Sequence, residues 1–212
     1  MTRGCFIAFE GGEGAGKSTQ ARLLAEALRA RGFEVLLTRE PGGTPGAEAI
    51  RALLLDPPGD GWGPEAEALL FAAARADHVA RVIRPALEAG RWVVSDRYLD
   101  SSRAYQGGGG GLSDGDVLAL HQVGSRGLLP DLTVLIEIAP EEAATRLARR
   151  DGGESDAIGG RDTAYHADVA AAFARIAEAE PGRFARIASS NSADATHALI
   201  LQAVSSLIEG AR

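Results

Sequence analysis

Residues 11–18 read Gly-Gly-Glu-Gly-Ala-Gly-Lys-Ser, a match to G-x-x-x-x-G-K-[ST] that carries physical meaning only between a strand and a helix. Both neighbours are present. Residues 4–10, Gly-Cys-Phe-Ile-Ala-Phe-Glu, form a short apolar run rich in β-formers, and residues 18–31 place Ala21, Leu24, Ala25 and Leu28 at helical spacing ahead of Gly32. In that setting glycines let backbone N–H groups turn inward around phosphate oxygens, and the helix N-terminus adds partial positive charge. Lys17 then reaches the terminal phosphates, and the Ser18 hydroxyl is a ligand for Mg²⁺.

With 27 glycines in the chain, a chance match to a plain glycine turn has to be weighed. One observation speaks against chance. Lys17 is the only lysine among 22 basic residues, so a chain that otherwise uses arginine departs from that habit at this one position. A compact ammonium on a flexible stem enters a phosphate cradle where a planar guanidinium is too broad.

Further strands are predicted at Glu34–Thr38, Trp92–Ser95, Leu132–Ile138 and Phe184–Ala188, separated by helical patterns. The long stretch Glu65–Glu88 reads as helix with a kink near Pro85, and shorter helices are predicted over 114–123, 141–150, 164–179 and 195–209. Strands alternating with helices imply an α/β fold with a parallel, doubly wound sheet. The length suits one hydrophobic core, so residues 1–212 are expected to form a single domain.

A net charge of −7, with no basic block longer than Arg149-Arg150, argues against nucleic acid or an anionic membrane as partner. A pocket for a small anion stays open, because a few arginines can converge locally. Cys5 is the sole cysteine, which excludes an intrachain disulfide, and its apolar surroundings suggest a buried, inert thiol. His78, His121, His166 and His197 show no metal-ligand spacing. The first strand is too short for a signal peptide or a membrane span, so the expected location is cytoplasmic.

Arg91-Trp92-Val93-Val94-Ser95-Asp96-Arg97-Tyr98 is a buried-strand pattern ending in an acid and a base where open α/β sheets bind ligands. Asp96 can orient Mg²⁺ or its waters, and Arg97 can bridge two phosphates; a structural ion pair at a strand end is the other reading. Two glycine-rich stretches break the pattern. Gly107–Gly111 reads as solvated linker, whereas Asp151–Asp162 is either linker or a closing lid between two helices.

Taken in order, several motifs make the chain resemble the thymidylate kinase family. They are Phe9-Glu10-Gly11 entering the phosphate loop, Thr38-Arg39-Glu40-Pro41-Gly42-Gly43-Thr44, Leu70 to His78, Asp96-Arg97-Tyr98 with Ser101-Ser102 and Ala104-Tyr105-Gln106, and Pro130-Asp131-Leu132-Thr133. The resemblance implies a P-loop nucleoside monophosphate kinase fold, with a five-stranded parallel sheet flanked by helices and a lid near residues 150–163. It implies ATP with Mg²⁺ as donor, held by Gly11, Gly12, Glu13, Gly14, Ala15, Gly16, Lys17, Ser18 and Thr19, with Ser18 and Asp96 at the metal. The implied acceptor is dTMP, contacted by Arg39, Phe71, Arg75, Arg97, Ser101, Ser102, Tyr105 and Gln106, and the product is dTDP on the route to dTTP.

In such enzymes the residue matching Phe71 stacks on thymine, that matching Arg75 bonds a base carbonyl, and that matching Tyr105 lies beside the sugar and disfavours a 2′-hydroxyl. From the residues alone, Phe71 reads equally as core, Ser101 to Gln106 as a capped surface helix, and Arg39-Glu40 as a structural pair. The family also pairs as homodimers, for which the apolar helix between Glu65 and Leu87 is the candidate surface. Another nucleoside or nucleoside monophosphate kinase would share the loop and lid without Phe71 and Arg75. A P-loop switch or partitioning ATPase is a rival from another class, but a guanine reader of the Asx-x-Lys-Asp type is impossible in a chain with one lysine.

Phosphoryl transfer to a phosphate needs no general base, because the acceptor oxygens are already largely ionised at neutral pH. The work is alignment and charge neutralisation by Lys17, Mg²⁺, Arg97 and a lid arginine. Here the chain departs from its relatives. Where the family lid has Asp-Arg, Asp156 is followed by Ala157, and Arg161 comes only after Ile158-Gly159-Gly160; Gly14 fills the loop position that some relatives give to arginine. The charge is therefore expected from Arg146, Arg149, Arg150 or Arg161, with Arg150 favoured first and Arg161 second. Arg146 and Arg150 share one helix face.

Overall fold

The computed structural model describes residues 3–151, 157–189 and 192–211, without the side chains of residues 149–151. Five parallel strands, β1 (Phe6–Glu10), β2 (Val35–Arg39), β3 (Trp92–Asp96), β4 (Leu132–Glu137) and β5 (Phe184–Ala188), form a sheet in the order β2-β3-β1-β4-β5. β1 lies at the centre because Phe6 and Ala8 face one layer of helices while Ile7 and Phe9 face the other, and all four are fully buried. A strand buried on both faces needs the continuous apolar run that β1 has.

One layer packs Leu24, Ala25 and Leu28 of α1 (Lys17–Arg29), with Ile200 of α9 (Ala193–Ala203) and Ile208 of α10 (Ser205–Gly210), against Ile7, Phe9, Val94, Val134 and Ile136. The opposite layer sets Val79, Ile83 and Leu87 against Phe6, Ala8 and Val93. Each such large side chain contributes about 1.5–3 kcal/mol on burial, which is what holds the ends of β1 and β3 in register.

The expected helix over 65–88 is resolved into three pieces: α3 (Pro64–His78), a π-helical turn over Val79–Ile83, and α4 (Arg84–Glu88). The distortion precedes Pro85, because the proline ring has no N–H and would press on the carbonyl four residues earlier, so the backbone widens there. α2 (Pro45–Leu55) was not expected from periodicity; Thr44 caps it by accepting from the Ala47 N–H at 3.0 Å, and Pro45 starts it. The remaining helices are α5 (Leu99–Ser102), α6 (Asp114–Ser125), α7 (Pro140–Asp151) and α8 (Thr163–Ala179).

The linker reading of Gly107–Gly111 is corrected. Residues Arg103–Gly109 form a second π-helical turn that lies against α8, so close that a Cβ on Gly108 would sit 2.3 Å from the Ala172 methyl and one on Gly109 2.6 Å from the Tyr165 ring. Glycine here permits close packing rather than solvated flexibility. The same segment is tied to the sheet by Asp100, fully buried, which accepts from Arg183 at 2.6 and 2.9 Å, Arg103 at 3.1 Å and Thr133 at 3.1 Å. Cys5 is half-buried rather than buried; burial, then the Asp131 charge, pushes its thiol up to about 12, so it is inert as expected. Among the described residues, no helix is long and apolar enough to cross a membrane.

Candidate active site

The carboxyl ends of β1 and β3 open into a cavity of about 530 Å³, bounded by the phosphate loop on one side and by α3 and the Ser101–Gln106 segment on the other. In the sheet order β1 has β3 on one side and β4 on the other, and such a switch point is where open α/β sheets leave a crevice. Glu13, Gly14, Gly16, Lys17, Ser18 and Thr19 line the cavity, whereas Gly11 and Gly12 do not. Ala15 faces a neighbouring groove of about 300 Å³, lined by Gly14, Gly16, Thr19, Arg146 and Ser192 among others.

Gly16 is the N-cap of α1, with a φ of 90° that a side chain would resist. The Lys17 ammonium, 6% exposed, donates to the Gly12 carbonyl at 2.6 Å across that loop. Burial, then repulsion from Arg97, lowers its pKa from 10.5 to about 8, against the pull of Glu13, Asp96 and Glu10.

At the end of β3, Ser18 donates from Oγ to Asp96 Oδ2, while Asp96 Oδ1 is buried with no hydrogen-bond partner. A hydroxyl beside an orphaned carboxylate oxygen fits a hard cation that takes oxygen ligands and keeps water and phosphate oxygens in its shell. Among the described residues, no group of three or more His, Cys, Asp or Glu forms an alternative metal centre.

Arg97 follows with φ 68°, the left-handed region, and its N–H donates to the Phe9 carbonyl at 2.9 Å. Its guanidinium donates to Ser101 Oγ at 3.0 Å, Glu13 Oε1 at 2.5 Å and Tyr105 Oη at 3.2 Å, and lies 4.9 Å from the Tyr105 ring centre. Burial disfavours that cation, but Tyr105, Glu13, Glu10 and Asp96 outweigh it and hold its pKa above the ordinary value. The strand-end ion pair between Asp96 and Arg97 is not what forms: Arg97 pairs with Glu13 across the phosphate loop and lines the cavity, while Asp96 takes the Ser18 hydroxyl.

On the other wall, Phe71, Ser101, Ser102, Tyr105 and Gln106 line the cavity, as does Arg39. Arg39 pairs with Glu48 at 3.0 Å, not with Glu40. Glu40 is instead held by Arg75 Nε at 2.7 Å and by His78 Nδ1 at 3.0 Å. Arg75, 3% exposed, also donates through Nη2 to Ser102 Oγ at 2.8 Å, so it stands behind the wall rather than in it.

The lid arginines divide. Arg150's side chain lies outside the described residues, as does Arg149's. Arg161 is not brought to the phosphate loop: it donates to Tyr165 Oη at 2.6 Å and pairs with Glu67, whose nearly buried carboxylate draws it toward α3. Of the described lid candidates, Arg146 is the one that reaches the loop. It lines both the cavity and the adjoining groove, and its Nη1 lies 3.6 Å from where a Gly16 Cβ would be.

Two residues carry more than their sequence setting suggested. Glu10, fully buried, accepts from the Tyr98 N–H at 2.8 Å and, from Ser101, the N–H at 3.0 Å and the hydroxyl at 2.5 Å. Burial, then Asp100, pushes its carboxyl up to about 7, against the Ser101 hydrogen bond and Arg97. Glu67 links Gln106 and Arg161. The available signal was an acid closing an apolar strand in the first case, and an acid one helical turn from Phe71 in the second.

A phosphate loop after the central strand of a five-stranded parallel sheet, facing across one cavity the helices that follow β2 and β3, defines the class of P-loop nucleoside monophosphate kinases. The thymidylate kinase family model matches residues 9–200. A thymidylate kinase of Rhizorhabdus wittichii is 56% identical over 205 residues, covering 97% of this chain and 99% of its own. One from Gluconobacter oxydans is 52% identical over 206 residues, covering 95% and 94%. The crystal structure of thymidylate kinase from Ehrlichia chaffeensis superposes with a TM-score of 0.75 at 31% identity, covering 95% of this chain and 99% of that one. The chain belongs to the thymidylate kinase family.

Proposed function

We propose that the protein transfers the γ-phosphoryl group of ATP to dTMP, giving ADP and dTDP for dTTP synthesis. The observation that carries this reading is the continuity of one cavity from Lys17 and Ser18 to Phe71, Tyr105 and Gln106, which supports a donor phosphate and a pyrimidine nucleotide sharing one enclosure. Lys17 and the loop N–H groups hold the donor phosphates, and Arg97, between the loop and Ser101, faces both donor and acceptor phosphate. Phe71 offers a ring face to the base, and Ser102 is set by Arg75 from behind. Tyr105, pinned through its hydroxyl to Arg97 and Glu13, narrows the space beside the sugar. Mg²⁺, which Ser18 and Asp96 would hold, supplies neutralisation of phosphate charge when bound.

In the reaction an acceptor phosphate oxygen forms a bond to Pγ as the bond from Pγ to the β–γ bridging oxygen breaks. No proton has to move first. Arg146, at the loop, is the arginine that adds positive charge on the donor side in place of a lid residue. A homodimer is part of this reading: Leu69 of α3 is 56% exposed and Val123 of α6 is 84% exposed, on two helices packed against each other. A cytoplasmic location is the natural one for this chemistry.

The test is ADP release coupled to a reporter enzyme, with dTMP, dUMP, AMP, GMP and CMP compared. Highest kcat/KM is expected with dTMP, and Lys17→Ala is expected to lower kcat at least about 100-fold, since a preorganised charge at a transferring phosphoryl contributes ~3 kcal/mol. Preference for a purine nucleotide, or a folded Lys17→Ala enzyme with near-normal turnover, would overturn the reading.

A further inference from the structure

Arg161 makes contacts that a residue serving the phosphates would not make. Its Nη2 pairs with Glu67 Oε2, its Nη1 donates to Tyr165 Oη at 2.6 Å, and its guanidinium carbon lies 4.6 Å from the Tyr165 ring centre. Tyr165 in turn donates to the Tyr105 carbonyl at 3.1 Å. The two recipients are therefore the two elements that form the acceptor wall, α3 through Glu67 and the Arg103–Gly109 turn through Tyr165.

Glu67 lies one helical turn before Phe71 on α3 and is 7% exposed. Its carboxylate is shared: Oε1 accepts from Gln106 Nε2 at 2.9 Å while Oε2 takes Arg161. Gln106 is 2% exposed and lines the cavity. An amide that commits its nitrogen to a carboxylate has its carbonyl oxygen left to offer, and which end is which is set only by such a partner. A charged Glu67 accepts hydrogen bonds and cannot donate one, so it enforces that choice. Its Oε2 is committed to Arg161, which leaves Oε1 as the acceptor that meets the Gln106 amide.

We propose that Arg161 is a positioning residue for the acceptor, acting through Glu67 to fix the Gln106 amide with its oxygen toward the base. The matching base presents a ring N–H donor, as thymine does at N3, whereas cytosine presents a ring acceptor there. Arg161 thus serves acceptor recognition, not the moving phosphoryl group. This rests on the dTMP kinase reading above.

The experiment is steady-state kinetics of Arg161→Ala, Arg161→Lys, Glu67→Gln and the Arg161→Ala/Glu67→Gln pair, each checked for folding by its melting curve. Arg161→Ala is expected to raise KM for dTMP fivefold or more and to reduce the dTMP-over-dCMP ratio of kcat/KM, with kcat and KM for ATP within twofold of wild type. Arg161→Lys should recover part of the loss. Glu67→Gln should reproduce the KM effect, and the double variant should be no worse than the poorer single one, because the two act on one amide. A tenfold loss of kcat with KM for dTMP unchanged would return Arg161 to the phosphates and overturn the proposal. An unchanged KM for dTMP, or additive losses in the double variant, would overturn it as well. Failure of the underlying reading looks different, since wild type itself would then not turn over dTMP.

Discussion

Removal of the Arg146 guanidinium tests where the donor-side charge comes from. Its Nη1 lies 3.6 Å from a Cβ position on Gly16, whose loop N–H groups face the donor, so a phosphate oxygen seated there is about 5 Å from the positive charge. At an effective dielectric near 20, one unit charge at that distance gains about 3 kcal/mol. Two features of the structure reduce it. The side chain is 32% exposed, and it already pairs with Glu142 at 2.5 Å while donating to Ser189 Oγ at 3.1 Å. Halving for the shared charge and the solvent leaves about 1.5 kcal/mol, roughly a tenfold effect. Arg146→Ala should therefore lower kcat/KM for ATP about tenfold, measured by coupled ADP release at saturating dTMP, while KM for dTMP stays within twofold. Arg146→Lys should lie between the two enzymes. A loss below twofold, or one that falls on KM for dTMP, would refute both the placement and the electrostatic reasoning.

Two further outcomes concern protons. Lys17 is charged below about pH 8 in the free protein and neutral above it, so kcat/KM for ATP should fall toward tenfold per unit above that pH, whereas kcat holds to higher pH because bound polyphosphate restores the proton; a profile flat to about pH 9.5 would contradict it. Glu10 keeps a proton in the folded protein up to about pH 7, which the unfolded chain loses near 4.5. Stability should then fall as pH rises between those values and level off above them, and Glu10→Gln should remove the slope and stabilise the protein at pH 8 by on the order of 3 kcal/mol. Parallel melting curves for the two proteins across that range would count against it.

Elements with strong local signals were legible in the sequence. All five strands stood out as apolar runs between glycine or polar breaks, and the phosphate loop identified its own flanking strand and helix. Helix α2 was not, although Thr44 and Pro45 are a capping signal, because its apolar spacing gives only Ala47 and Leu54 to the interior. The glycine run at 107–111 reads as linker because sequence gives the absence of a side chain without saying what fills the space; here α8 does, at Ala172, 64 residues beyond Gly108. The same limit applies at the site. Phe71, Tyr105 and Gln106 could be placed by motif, but Arg75 was expected in the wall and stands behind it, since nothing local announces that Glu40, 35 positions away, takes its Nε. Arg161 likewise was assigned to the lid by its neighbours in the chain and by its charge, whereas Glu67, 94 positions distant, decides where it points.

The solitary lysine has a consequence for amine chemistry. An amine nucleophile reacts in its neutral form, and desolvation with a pKa lowered to about 8 gives Lys17 a far larger neutral fraction near neutral pH than an ordinary surface lysine has. No other side chain of this protein competes for an acylating reagent aimed at amines. A small activated ester should thus mark one side chain besides the α-amino group, with a single mass increment that appears slowly because only 6% of the residue is exposed. Seating a polyphosphate over that ammonium reprotonates and covers it. The unmodified protein therefore carries a built-in footprint of its own donor site, readable by mass spectrometry without an introduced label.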